Sequence, residues 1–165
     1  MNKRTMILSL VAVFATTLLL TALMFTTSAA PAGSPRATGG GTTEEDGEKS
    51  TFVFNAIQNK NGTVNGHLVY TTRYDNIRTK MDIDCLNIVG NNAIMSGVIT
   101  EVKGDNIPAF IFVGQRAEFQ VEDNGEGGDD APDLISNLNL GPNASCNLIA
   151  PTPYLPIDGN IQVQP

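Results

Sequence analysis

After residue 50, successive short segments carry apolar side chains at every second position, and no stretch repeats them at the 3.6-residue period of a helix. The segment from Ile77 to Val89 is the clearest case. Ile77, Met81, Ile83, Cys85 and Val89 fall on one face, and Arg78, Lys80, Asp82 and Asp84 on the other. A strand that buries one face and wets the other belongs to an antiparallel sheet. The same alternation predicts strands over 51–57 (Phe52, Phe54, Ala56), 64–72 (Leu68, Tyr70), 93–102 (Ile94, Val98, Val102) and 117–122 (Ala117, Phe119, Val121). A wholly apolar strand is expected over 109–113, with Phe110, Phe112 and Phe119 in the core, and weaker strands over 134–140 and 161–164.

Asn61-Gly62, Asn65-Gly66, Gly90-Asn91-Asn92, Gly104-Asp105-Asn106 and Asn124-Gly125 punctuate these runs with residues that tolerate positive φ at tight turns. Seven or eight short strands joined in this way predict an all-β fold, either an antiparallel β-sandwich or a small β-barrel. Pro151, Pro153 and Pro156 predict an extended crossing that returns a last strand, 159–164, to the body.

The N-terminus is of a different kind. Lys3 and Arg4 precede an uncharged run from Met6 to Phe25, followed by the small residues Thr26 to Ala30, the pattern of a secretory signal peptide over 1–29 with cleavage after Ala29. The 19 apolar-rich residues from Ile7 to Phe25 are also close to the roughly 20 that span a bilayer, so an uncleaved membrane anchor is the competing reading. Either way the remainder is exported, to the medium or the cell surface. Residues 30–48, rich in Pro, Gly, Thr and Glu, offer little apolar surface and predict a flexible linker, with the β domain running over 49–165.

Without Lys3 and Arg4, 8 cations face 17 acids, a net charge of −9. The cations are scattered through the sequence, which argues against a nucleic acid partner. In an oxidising compartment the two cysteines, Cys85 and Cys146, are expected to form a disulfide, and one histidine is too few to complete a Cys/His zinc site.

Residues with chemical potential are few. His67 is the sole histidine and has no recognisable nucleophile around it, so a strand-edge imidazole is the simpler reading than a catalytic one. Asp123, Glu126, Asp129, Asp130 and Asp133 sit on a Gly-rich loop and are candidate calcium ligands. Their spacing fails the EF-hand pattern: with Asp123 first, the twelfth position is Leu134, and a solvated turn explains the same residues. Asn61-Gly62-Thr63 and Asn143-Ala144-Ser145 fit the glycosylation sequon. No cofactor is called for.

Lys49-Ser50-Thr51-Phe52, Gly66-His67-Leu68-Val69-Tyr70, Val89-Gly90-Asn91-Asn92-Ala93 leading into Ser96-Gly97-Val98-Ile99-Thr100, Phe119-Gln120-Val121-Glu122-Asp123-Asn124-Gly125-Glu126, and Gly159-Asn160-Ile161-Gln162-Val163 together resemble the post-COAP domains of extracellular bacterial proteins. The resemblance implies an exported antiparallel β-domain and brings no catalytic residues with it. The cysteine pair and the proline-rich segment before Gly159 depart from that family's pattern.

The chain therefore reads as an exported, non-catalytic module that holds an extracellular polymer or protein through a sheet face or loops. The alternative is a small-ligand carrier or enzyme that uses a barrel interior. A cavity of several hundred cubic ångströms lined by inward carboxylates or by His67 would favour that alternative.

Overall fold

The computed structural model of the protein describes residues 33–73, 76–126, 130–147 and 154–165. The expected signal peptide, 1–29, lies outside these residues, as do Asp129, Pro151 and Pro153. The strands are β1 (Arg36–Glu45), β2 (Glu48–Gln58), β3 (Val64–Thr72), β4 (Ile77–Val89), β5 (Asn92–Lys103), β6 (Arg116–Glu122), β7 (Leu134–Ser136), β8 (Asn139–Leu140) and β9 (Tyr154–Gln164).

Each strand from β1 to β6 pairs antiparallel with the next, β6 pairs with β7, β7 with β9, and β9 with β1. The ring is closed, so of the two expected architectures the chain adopts the barrel. It has eight staves, and β8 is an extra strand that lies against β6 beside β7. Closure removes the open edges that a flat sheet of this length would expose.

The first stave corrects the expectation of a linker over 30–48. Residues Arg36–Glu45 form a strand bonded on both sides, to β2 and to β9. Gly39 shows why so bare a sequence belongs here. It faces the interior between its cross-strand partners Phe54 and Ile161, and a Cβ at that point would lie 2.8 Å from a carbon of each. The neighbours' side chains occupy the volume that a residue at 39 would otherwise fill, so the core is complete without it. The hairpin to β2 turns on Asp46 (φ 52°) and Gly47 (φ 82°), the two consecutive left-handed residues of a type I′ turn.

Four further expectations are revised. The apolar run 109–113 is not a strand. Pro108 and Gly114 bracket it, and its backbone closes local turns, Ile111 N to Pro108 O (2.9 Å) and Gln115 N to Phe112 O (3.3 Å), so only Ile111 packs on the core while Phe110 and Phe112 face outward. In β4, Asp84 is a bulge between the pairs Ile83–Gly97 and Cys85–Ser96. The extra residue reverses the alternation, turning Leu86 and Ile88 toward the core and leaving Val89 exposed. In β5 the fully buried face is Ala93, Met95 and Ile99 rather than Ile94 and Val98, because apolar residues occupy both faces and the cross-strand register decides between them. Asn65-Gly66, expected as a turn, lies inside β3.

The interior is filled by Phe52, Phe54, Leu68, Met81, Met95, Phe119, Val121, Ile135 and Ile161. Phe54 meets Phe119 edge to face with ring centroids 5.4 Å apart. Because β1 satisfies the ladder edges of two neighbours, a chain that starts at Lys49 is expected to lose its cooperative thermal transition. One that starts at Gly33 is expected to keep it, as circular dichroism melting will show.

Candidate functional site

The alternation that packs the barrel also changes character along its length. At the end where β1 turns into β2, the inward positions carry hydroxyls: Thr43, Ser50, Tyr70, Thr72 and Thr79. These small or polar residues leave a cavity of about 320 Å³ above the packed half. Ile77, Ile99, Ile111, Leu138, Leu140 and Leu155 supply its apolar wall, and Glu45 and Glu48, paired across the hairpin, stand at its rim.

The collar is held in place. The Thr43 hydroxyl donates to the Pro156 carbonyl (3.1 Å), and the Asn137 amide donates to Glu45 Oε2 (2.9 Å). Burial raises the Tyr70 phenol above its ordinary pKa; a hydrogen bond with Ser50 opposes this and the charge of Glu45 adds to it. Tyr70 is therefore a neutral hydroxyl at the foot of the cup. An apolar wall, a ring of hydroxyls and a charged rim form a receptacle for a molecule with an apolar body and a polar head.

The expected cysteine pair is joined. Cys85 and Cys146 form a disulfide with Cα atoms 5.7 Å apart. The bulge at Asp84 is what turns Cys85 away from the interior, where the segment 141–147 can reach it. Three polar contacts seat that segment further: Arg116 Nε donates to the Ala144 carbonyl (3.2 Å), the Ser145 amide to Glu118 (2.7 Å) and the Cys146 amide to Ser96 Oγ (3.1 Å). Arg116 grips Asp84 with both terminal nitrogens at 2.9 and 2.8 Å, and this bond holds the Asp84 carboxyl below its ordinary pKa. Such a group adds stability above its unfolded-state pKa, and the contribution is lost as the pH falls through the lower folded value.

The acidic loop closes a seam. Just beyond β7 the Ile157 amide of β9 donates to the Asp133 carbonyl (3.0 Å), and further along that side carboxylates take the place of a paired strand. Asp133, almost wholly buried, accepts from the amides of Ile161 (2.6 Å) and Asn124 (2.8 Å). Asp123 accepts from Val163 (2.9 Å) and Gly125 (3.0 Å), and Glu126 accepts from the Gln162 side chain (2.6 Å). Among the described residues no group of three or more His, Cys, Asp or Glu is arranged to hold a metal ion. His67 is exposed on β3, its amide donating to the side chain of Asn55 (3.1 Å), and it shares no bonding partner with Arg116 or Asp123.

Sequence reasoning passed over the cup. Its signal was present as Ser50, Tyr70, Thr72 and Thr79, each on the core-facing phase of a strand whose other core positions are apolar. No family model matches the chain, and neither a curated protein nor a solved structure matches it.

Three outcomes follow from this geometry. Replacing Asp133 by Ala leaves the amides of Ile161 and Asn124 without their acceptor, and at about 1.5–3 kcal/mol per charge-assisted bond the loss of stability in urea should exceed that of any single exposed carboxylate. Millimolar calcium should leave the melting temperature unchanged. Replacing Cys85 and Cys146 together by Ser opens a loop of 61 residues, with an expected loss of about 2–4 kcal/mol in the same titration.

Proposed function

We propose that this protein is an exported, non-catalytic β-barrel that binds a small amphipathic molecule in the cup at its open end. One observation carries the reading: the barrel interior is close-packed in one half, while the other half leaves about 320 Å³ beneath a ring of hydroxyls. That volume lies at the lower end of the roughly 300–1,000 Å³ usual for small-molecule sites. A barrel held together only by its core would gain by filling the space with larger apolar side chains, since voids forfeit dispersion contacts. The signal-like N-terminus, the disulfide and the likeness to post-COAP domains all fit a protein that works outside the cytoplasm. The cavity supports a function in the barrel interior over one on a sheet face that holds a polymer.

The test is a thermal-shift panel of medium-chain alcohols, amines and carboxylates, followed by titration calorimetry. A ligand present at about 100 times its Kd should stabilise the barrel by about 2.7 kcal/mol. The Ser50→Phe variant places a ring in the collar and should bind the same ligand at least tenfold more weakly while still melting cooperatively. A panel with no binder, or a binder that ignores Ser50→Phe, overturns the reading.

A further inference from the structure

The segment between β5 and β6 carries an apolar surface of which only Phe110 also reaches the cup. Ile107, Phe110, Phe112 and Val113 are 40%, 65%, 54% and 59% exposed, four large hydrophobic side chains within seven residues of one loop. They are fixed in this outward posture: Ile111 anchors the loop in the core, the Gly114 amide donates to the Ile99 carbonyl (2.8 Å), and Gly114 takes a left-handed φ of 95°. Isolated exposed apolar residues are ordinary, whereas a cluster held outward marks a contact surface.

The surroundings of the loop indicate what it meets. In a chain where acids outnumber bases 17 to 10, Arg78, Lys80 and Lys103 gather around a single carboxylate, Glu101, at 3.2, 3.4 and 3.1 Å. All four lie on the outer wall of β4 and β5, where β5 runs into the loop. Counting Asp105 at the start of the loop, three cations stand beside two carboxylates on this flank, and that surplus next to protruding aromatic and aliphatic side chains complements an anionic lipid surface, with the basic groups at the headgroups and the apolar ones below them. A protein partner fits less well. Two aromatic side chains of about 150–250 Å² each, only partly exposed, and two aliphatic ones fall short of the roughly 800 Å² per partner of a stable protein interface.

We infer that the loop 107–113 inserts its apolar side chains into the interfacial region of an anionic membrane, docking the barrel by this loop and the adjoining outer wall of β4 and β5. This contact is separate from the N-terminal apolar run and does not depend on the identity of any ligand in the cup.

The chain contains no tryptophan, so a single introduced indole reports its own surroundings. The full chain carrying Phe110→Trp, and a control carrying Val53→Trp on the outer wall of β2, are mixed with vesicles of brominated phosphatidylcholine with and without phosphatidylglycerol. The expected result is a blue shift and bromine quenching for Phe110→Trp, stronger with phosphatidylglycerol, and neither for Val53→Trp. Adding Phe112→Ser and Val113→Ser should abolish the quenching. Adding Lys80→Gln and Lys103→Gln, which keeps the Arg78–Glu101 pair, should weaken binding to phosphatidylglycerol vesicles by roughly fivefold per cation removed. Equal quenching at both positions overturns the inference, since the N-terminal run would then hold the protein on the vesicle. An indole at position 110 that stays aqueous on both vesicles also overturns it and leaves a protein as the occupant of the loop.

Discussion

Closure of the backbone ladder is the constraint on which this structure depends. A rolled sheet without its last seam would expose two rows of unpaired amides and carbonyls beside its most apolar interior, and both the desolvation cost and the hazard of edge-to-edge association would be large. The seam is made by β1, bonded over most of its length to β2 and to β9. Its three consecutive glycines, Gly39, Gly40 and Gly41, lower the intrinsic preference for a strand, yet two flanking ladders and the side chains of Phe54 and Ile161 over Gly39 outweigh that preference.

Where backbone pairing runs out, side chains complete it. Past the short β7, the amides of β9 are met by the carboxylates of Asp133 and Asp123. On the opposite flank of β6, the disulfide, Arg116, Glu118 and Ser96 bind the segment 141–147 to the wall. These charged and polar groups, which in sequence look like chemistry, act as fasteners. Their bonds leave the packed end of the barrel satisfied, and among the described residues no buried side-chain nitrogen or oxygen lacks a partner.

The open end is built differently. The inward positions of β1 to β4 change there from aromatic and aliphatic groups to hydroxyls, and the loop 104–115 rises beside them with Phe110 contributing to the cup's lining. The cup proposed for an amphipathic molecule and the loop inferred to meet a lipid surface thus share residues at one end of the barrel.

The sequence by itself determined the strand content, because a period of two is visible wherever one face is buried, as in β2 and β6 with Phe52, Phe54 and Phe119. It also pointed to the disulfide, since each of the two cysteines has only the other to pair with inside the chain. It did not reveal β1, although Asp46-Gly47 is a hairpin signal, because a glycine strand shows no apolar alternation when its neighbours fill its share of the core. The face reversal after Asp84 and the exposure of Phe110 and Phe112 were likewise decided by tertiary structure, as a bulge is defined by its partner strand and a loop by what its backbone bonds. The cup is the clearest case of this division. Each hydroxyl can be read in the sequence, but only closure of the barrel brings five of them, from four strands, around one cavity.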